Sequence, residues 1–129
     1  MATWSEIRNF ISQNFPNVQG SSEVFTINIV LGSGRTQLVS VAFLDLPGEE
    51  LDAMVLHAPF AKASMISPMQ ALAHAEGPFG LGKLGDEYYA LKHLAFTTNI
   101  DANEILNAIN LIAQIADTIE AGLGLGDQL

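Results

Sequence analysis

The sequence predicts an α+β fold, α-β-β-β-α-β-β-α, with a five-stranded antiparallel sheet and the terminal helices packed on one face. Three observations carry this. From Thr98 to Ala121 the chain has no Gly or Pro and repeats apolar residues at helical spacing. Between Val24 and Phe96 several stretches instead alternate with period two. Short Gly- and Pro-containing turns join those stretches, which favours antiparallel neighbours over long crossovers.

Thr3 and Glu6 have capping-box spacing and open a helix from Trp4 to Phe15. Trp4, Ile7, Ile11 and Phe15 share one of its faces, and Pro16 closes it. Asn17–Ser22 reads as a polar connection. Val24–Leu31 is a strand, Gly32-Ser33-Gly34-Arg35 a hairpin turn and Thr36–Leu44 the return strand. Pro47-Gly48-Glu49-Glu50 makes a further turn, and Asp52–Ala58 is a third strand ending before Pro59.

Ser67-Pro68 combines a hydroxyl cap with proline at the first helical position, so a short helix runs from Pro68 to Glu76. Phe79–Leu84 and Tyr88–Phe96 form a second hairpin around Gly85-Asp86-Glu87. In the last helix Asp101 and Glu104 supply another capping-box pair. Ile105, Ile109, Ile112, Ala116 and Ile119 form its core face, and Asn107, Asn110, Gln114, Asp117 and Glu120 its wetter side. Gly122 stops it where a left-handed cap is expected. Residues 1–121 read as one domain and 122–129 as a flexible Gly-rich tail.

Fourteen acidic residues against five basic give a formal charge of -9, which disfavours nucleic acid and anionic membranes as partners. The absence of Cys removes disulfides, thiol catalysis and cysteine-ligated metals. No basic segment followed by an apolar block opens the chain, and no apolar run approaches the ~20 residues of a membrane span. A soluble cytoplasmic protein is expected. Hydrophobic residues make up 49% of the chain and charged ones only 15%. A monomer of this size exposes roughly 6,600 Å². With so few charges, part of that surface is apolar and is expected to be hidden against a partner or a second copy, most simply as a homodimer.

The strands sharpen this point. A sheet covered on one side should be polar on the other. Here Leu38, Ala42 and Leu44 alternate with Val39, Val41 and Phe43, and Tyr88, Ala90, Leu94 and Phe96 oppose Tyr89, Leu91 and Ala95. Either bulges and loops cover both sides of a curved sheet, or one side is a semi-exposed apolar surface for a partner.

No catalytic signature appears. Gly80-Leu81-Gly82-Lys83-Leu84-Gly85 has the letters of a dinucleotide motif, but it leads into a strand, where that motif must open a helix. Gly32-Ser33-Gly34-Arg35-Thr36 lacks the lysine ending of a phosphate loop. His57, His74 and His93 are the candidates for proton transfer or metal ligation, yet no pair has ligand spacing. Neither Ser40 nor Ser64 sits in a nucleophile elbow. Glu49, Glu50 and Asp52 lack the alternating pattern of a calcium loop. No catalytic residue, metal or cofactor is therefore assigned. Met54, Met65 and Met69 bracket the third strand and short helix, and methionine suits adaptable contacts. Pro59–Met69 is where a contact between two copies is first sought.

The element order resembles that of the type III secretion chaperone-like superfamily, including its YbjN-like branch. So does the run Phe79-Gly80-Leu81-Gly82-Lys83-Leu84-Gly85-Asp86-Glu87-Tyr88-Tyr89-Ala90-Leu91-Lys92-His93, followed by Ile115-Ala116-Asp117-Thr118-Ile119-Glu120. The likeness covers nearly the whole chain as architecture and Phe79–Ala121 as sequence. It implies dimerisation through the central short helix and the adjoining strand. It also implies a client wrapped as an extended segment over apolar patches, without nucleotide hydrolysis.

The expected function is a non-enzymatic, chaperone-like protein that binds a peptide or protein client. Its client-binding residues would be Trp4, Ile7, Ile11, Phe25, Leu38 and Phe43. Its dimer contacts would be Met65, Ile66, Met69 and Leu72. The competing expectations are a regulatory or scaffold domain with one fixed partner, and a small-molecule binder in which His57, His93 and Tyr88 or Tyr89 converge.

Overall fold

A computed structural model describes residues 3–32, 34–46, 51–75 and 77–123. The expected turn at Pro47–Glu50, Ser33 of the hairpin turn, the Glu76 end of the short helix and the tail from residue 124 lie outside the described residues. The order is α1 (Trp4–Asn14), β1 (Gln19–Gly20), β2 (Val24–Val30), β3 (Thr36–Leu46), β4 (Leu51–Lys62), α2 (Pro68–His74), β5 (Gly80–Leu84), β6 (Tyr88–Phe96) and α3 (Ala102–Gly122).

The fold class is α+β, and the sheet is antiparallel with the order β1-β2-β3-β4-β6-β5. It has six strands, which corrects the expected five. The added strand is Gln19–Gly20, inside the stretch read as polar connection. Two residues carry no alternation to detect, so only backbone pairing with Thr26 and Phe25 reveals it. Gly20 permits that pairing: its φ is 127°, and a Cβ there would come 2.6 Å from the Val24 carbonyl oxygen.

β4 continues past Pro59, before which it is expected to end, to Lys62. The register against β6 shifts between Pro59 and Ala61, so the strand accommodates proline at a bulge. Phe60 and Ala61 at that bulge are both fully buried.

Two helix starts form as complete capping boxes, Thr3 with Glu6 and Ser67 with Gln70. At α3 only the Asp101 half forms, its Oδ1 accepting the Glu104 N–H at 2.9 Å. The left-handed cap expected at Gly122 is absent: Gly122 is the last helical residue, and Leu123 follows at φ -81°.

One core lies between the sheet and the helices. Phe25, Ile27, Ile29, Val39, Val41, Met54, Leu56, Ala58 and Leu91 point into it from the strands. Ile7 and Ile11 of α1, Ala71 of α2, and Ile105, Ile109, Ile112, Ala113 and Ala116 of α3 meet them. α3 lies mainly across β4 and β3. Trp4 brings α1 onto the same side, its ring 6.0 Å from Phe25 and 5.1 Å from Phe43. The Trp4 indole N–H also donates to the Ser22 carbonyl at 2.7 Å. No described helix is long and apolar enough to cross a membrane.

Candidate functional site

The register identifies which residues share the face turned away from the helices. Opposed residues in adjacent antiparallel strands point the same way, so the pairs line up as rows across the sheet. One row is Leu44–Ala53–Phe96 and the next is Val24–Ala42–Val55–Leu94. These two rows are wholly apolar. The third, Thr26–Ser40–His57–Lys92–Gly80, is polar. Beyond it lie Asn28 with Leu38, and Pro59–Ala90–Gly82.

Among the described residues no helix covers this face, although its small central side chains, Ala53, Val55 and Ala90, are buried at 0%, 8% and 0%. All three helices bury residues in the cluster on the other side, which contains none of Ala53, Val55 or Ala90. Nine large apolar side chains are exposed among the described residues. Val24, Val30, Leu44, Leu94 and Phe96 belong to the open face; Met65, Met69 and Leu72 surround α2; Leu111 lies on the outside of α3. Exposed apolar area is thus gathered on two surfaces instead of being scattered, which is the pattern of an interaction surface.

The α2 surface has a local cause. Ser67 and Pro68 start the helix whatever it packs on, and within it only Ala71 is buried. Met69, Leu72 and Ala73 follow at the i, i+3, i+4 spacing that places side chains on one face. That face points outward. With Ala75 they line a shallow groove.

The residues expected to hold a client do not come together as a surface. Ile7, Ile11 and Phe25 are buried at 1%, 0% and 1% exposure. Trp4 and Phe43 stack on the helix side, each partly covered. Only Leu38 lies on the open face. Of the expected dimer residues, Met65, Met69 and Leu72 are exposed, while Ile66 leans on the core.

The histidines diverge. His57 is on the open face, His74 is exposed on α2, and His93 is on the helix side, its ring edge-on to Phe79 at 5.4 Å. No group of three or more potential metal-ligating His, Asp or Glu side chains exists among the described residues. His57 is half-buried across β6, where Gly82 leaves room for it. A Cβ on Gly82 would sit 3.2 Å from the ring and 3.0 Å from Lys92 Cβ. Burial, and then the Lys92 charge, hold the His57 pKa below 6.5.

A polar cluster ties the hairpin turn to α3. Arg35 Nε lies 2.8 Å from Asp117 Oδ1, and Nη2 lies 3.1 Å from Glu120 Oε1. Asp117 and Glu120 were expected on the wetter side of the helix, but Glu120 has no exposed surface. Their spacing with Ala113 and Ala116 places them on the buried face, and Arg35 makes that burial tolerable. A second groove between α1 and α3 has Ile7, Phe10, Ile100 and Ile105 in its walls. Its carboxylates are already engaged at helix starts, Glu6 Oε1 accepting from the Thr3 N–H and Asp101 Oδ1 from the Glu104 N–H.

Searches against protein-family models, curated proteins and solved structures find no match to this chain.

Proposed function

We propose that the protein is a non-enzymatic, chaperone-like binder that holds a peptide or protein client on the open sheet face and pairs with a second copy through α2. The observation that carries the reading is the pair of apolar rows whose ends, Val24, Leu44, Leu94 and Phe96, are exposed while Ala53 and Val55 between them are buried at 0% and 8%. Leu94 and Phe96 are 41% and 53% exposed at the end of β6 that runs past its pairing with β5, and adjacent apolar exposure of this size is the pattern of a contact surface. The client surface therefore comprises Leu38, Leu44, Leu94 and Phe96 instead of Ile7, Ile11 and Phe25.

The dimer reading rests on Met65, Met69 and Leu72, a flexible apolar set facing outward on a helix with little else to do. The resemblance to the type III secretion chaperone-like superfamily supports the same division of labour, and the cytoplasm is the compartment it suggests. Divergent histidines remove the basis for the small-molecule reading that needed them to converge.

The test combines capture from the native cell extract with light scattering. A dimer mass, with capture abolished by Leu94→Glu and Phe96→Glu, supports the proposal. A single stoichiometric folded partner would favour the scaffold reading. A monomer that retains nothing, or capture indifferent to those substitutions, would overturn it.

A further inference from the structure

The open face is unlike the rest of this chain in charge. Of the 14 acidic residues in the sequence, none occupies a described strand position on it. Asp45 and Asp52 oppose each other two positions beyond Phe43, on the helix side. The face's charged positions are Lys62, opposite Tyr88, and Lys92, opposite His57. Lys62 lines a groove with Asp86 and Glu87 at the far end of the face, away from the apolar rows, without an ion pair to either. Lys92 is exposed and has no ion-pair partner among the described residues. Its neighbour His57 is neutral at pH 7, so no second cation competes beside it.

Phe96, Leu94 and Lys92 follow one another along β6 on this face, each two residues from the next. Successive rows are therefore about 6.7 Å apart, which is also the spacing of side chains on one side of an extended peptide. Resting on the client-binding reading above, we propose that the docked segment is an extended stretch of the pattern apolar-x-apolar-x-acidic. Its two apolar side chains cover the Phe96 and Leu94 rows, and its carboxylate accepts from the Lys92 ammonium. The acid is a single placed residue, because a chain of charge -9 repels a run of acids at longer range.

The test uses fluorescence anisotropy with three labelled peptides containing Leu-Thr-Leu-Thr-Asp, Leu-Thr-Leu-Thr-Asn or Leu-Thr-Leu-Thr-Lys. The Asp peptide is expected to bind roughly two- to fivefold tighter than the Asn peptide, the scale of an exposed ion pair. Lys92→Gln should erase that preference and Lys92→Glu should reverse it in favour of the Lys peptide. Melting curves verify that both variants fold. Equal binding of all three peptides, or a Lys preference in the unaltered protein, overturns the charge assignment and leaves client binding standing. Binding of none of them overturns both.

Discussion

Arg35 Nη2 lies 3.1 Å from Oε1 of Glu120, a carboxylate with no exposed surface near the end of α3. Asp117, one turn earlier, meets the same guanidinium through Nε at 2.8 Å. One side chain from the β2–β3 turn thus anchors the last turns of the longest helix to the sheet, over 85 residues of sequence.

Removing Arg35 should therefore cost more than a surface ion pair. Breaking a buried pair from one side typically costs about 3–5 kcal/mol. The Arg35 side chain is 26% exposed, so water repays part of that. Arg35→Ala is expected to destabilise by about 2–3 kcal/mol, measured by urea unfolding. Glu120→Gln should cost less, since the amide keeps an acceptor for Arg35 and removes a buried charge. Arg35→Ala within 0.5 kcal/mol of the unaltered protein would show that the cluster does not anchor the helix.

The same cluster marks where the sequence was hard to read. Ile105, Ile109, Ile112 and Ala116 announce the core face of α3 by spacing alone. Asp117 and Glu120 sit on that face, but their chemistry argues for the wet side, and Arg35 is too distant in sequence to signal otherwise. The sheet poses a related problem. Alternating Val24 with Phe25, and Leu38 with Val39, is apolar on both phases, so the pattern shows that one face is surplus without saying which the helices cover. Trp4 decides it by stacking on Phe25 and Phe43. The α2 surface was legible because Met65, Met69 and Leu72 are local to a helix whose start signals are complete.

Gln37 provides a second stability test. It is fully buried, and its Nε2 donates to the Pro59 carbonyl at 2.8 Å and the Leu38 carbonyl at 3.2 Å. The described β3–β4 register ends at Ser40 with His57, so this amide replaces a ladder bond beside the β4 bulge. Gln37→Leu fills similar volume but leaves the Pro59 carbonyl unsatisfied. Gln37 Oε1 is itself buried without a hydrogen-bond partner, so its removal offsets part of that cost, and a net loss of about 1 kcal/mol is expected in thermal or urea unfolding. Faster exchange of the amides around Phe60 should accompany it.

On α2, Met69 is 74% and Leu72 55% exposed, so neither contributes much to the folded monomer. Met69→Glu with Leu72→Lys should change monomer stability by no more than ~0.5 kcal/mol each. If α2 joins two copies, the pair of substitutions should shift sedimentation from dimer to monomer at micromolar concentration. An unchanged dimer would move the contact elsewhere, and a loss of fold would show that α2 packs more than Ala71 and Ala75 indicate.

His57 yields a prediction in pH. Its folded pKa lies below 6.5, first through burial and then through Lys92. Between the folded value and 6.5 the unfolded chain therefore binds more protons than the folded one, so acidification favours unfolding. Stability attributable to His57 is complete above pH 6.5 and falls as pH drops through that window. Substituting Gly82 by Ala tests the cause. The new Cβ meets the imidazole at 3.2 Å and Lys92 Cβ at 3.0 Å, so these neighbours must give by a few tenths of an ångström. The expected outcome is a ring shifted towards solvent, with a pKa that rises towards 6.5 and a stability slope below pH 6.5 that flattens. Proton NMR titration of the three histidines, with His57→Gln for assignment, reads both effects. An unshifted His57 resonance in Gly82→Ala would mean that burial against β5 is not what lowers it.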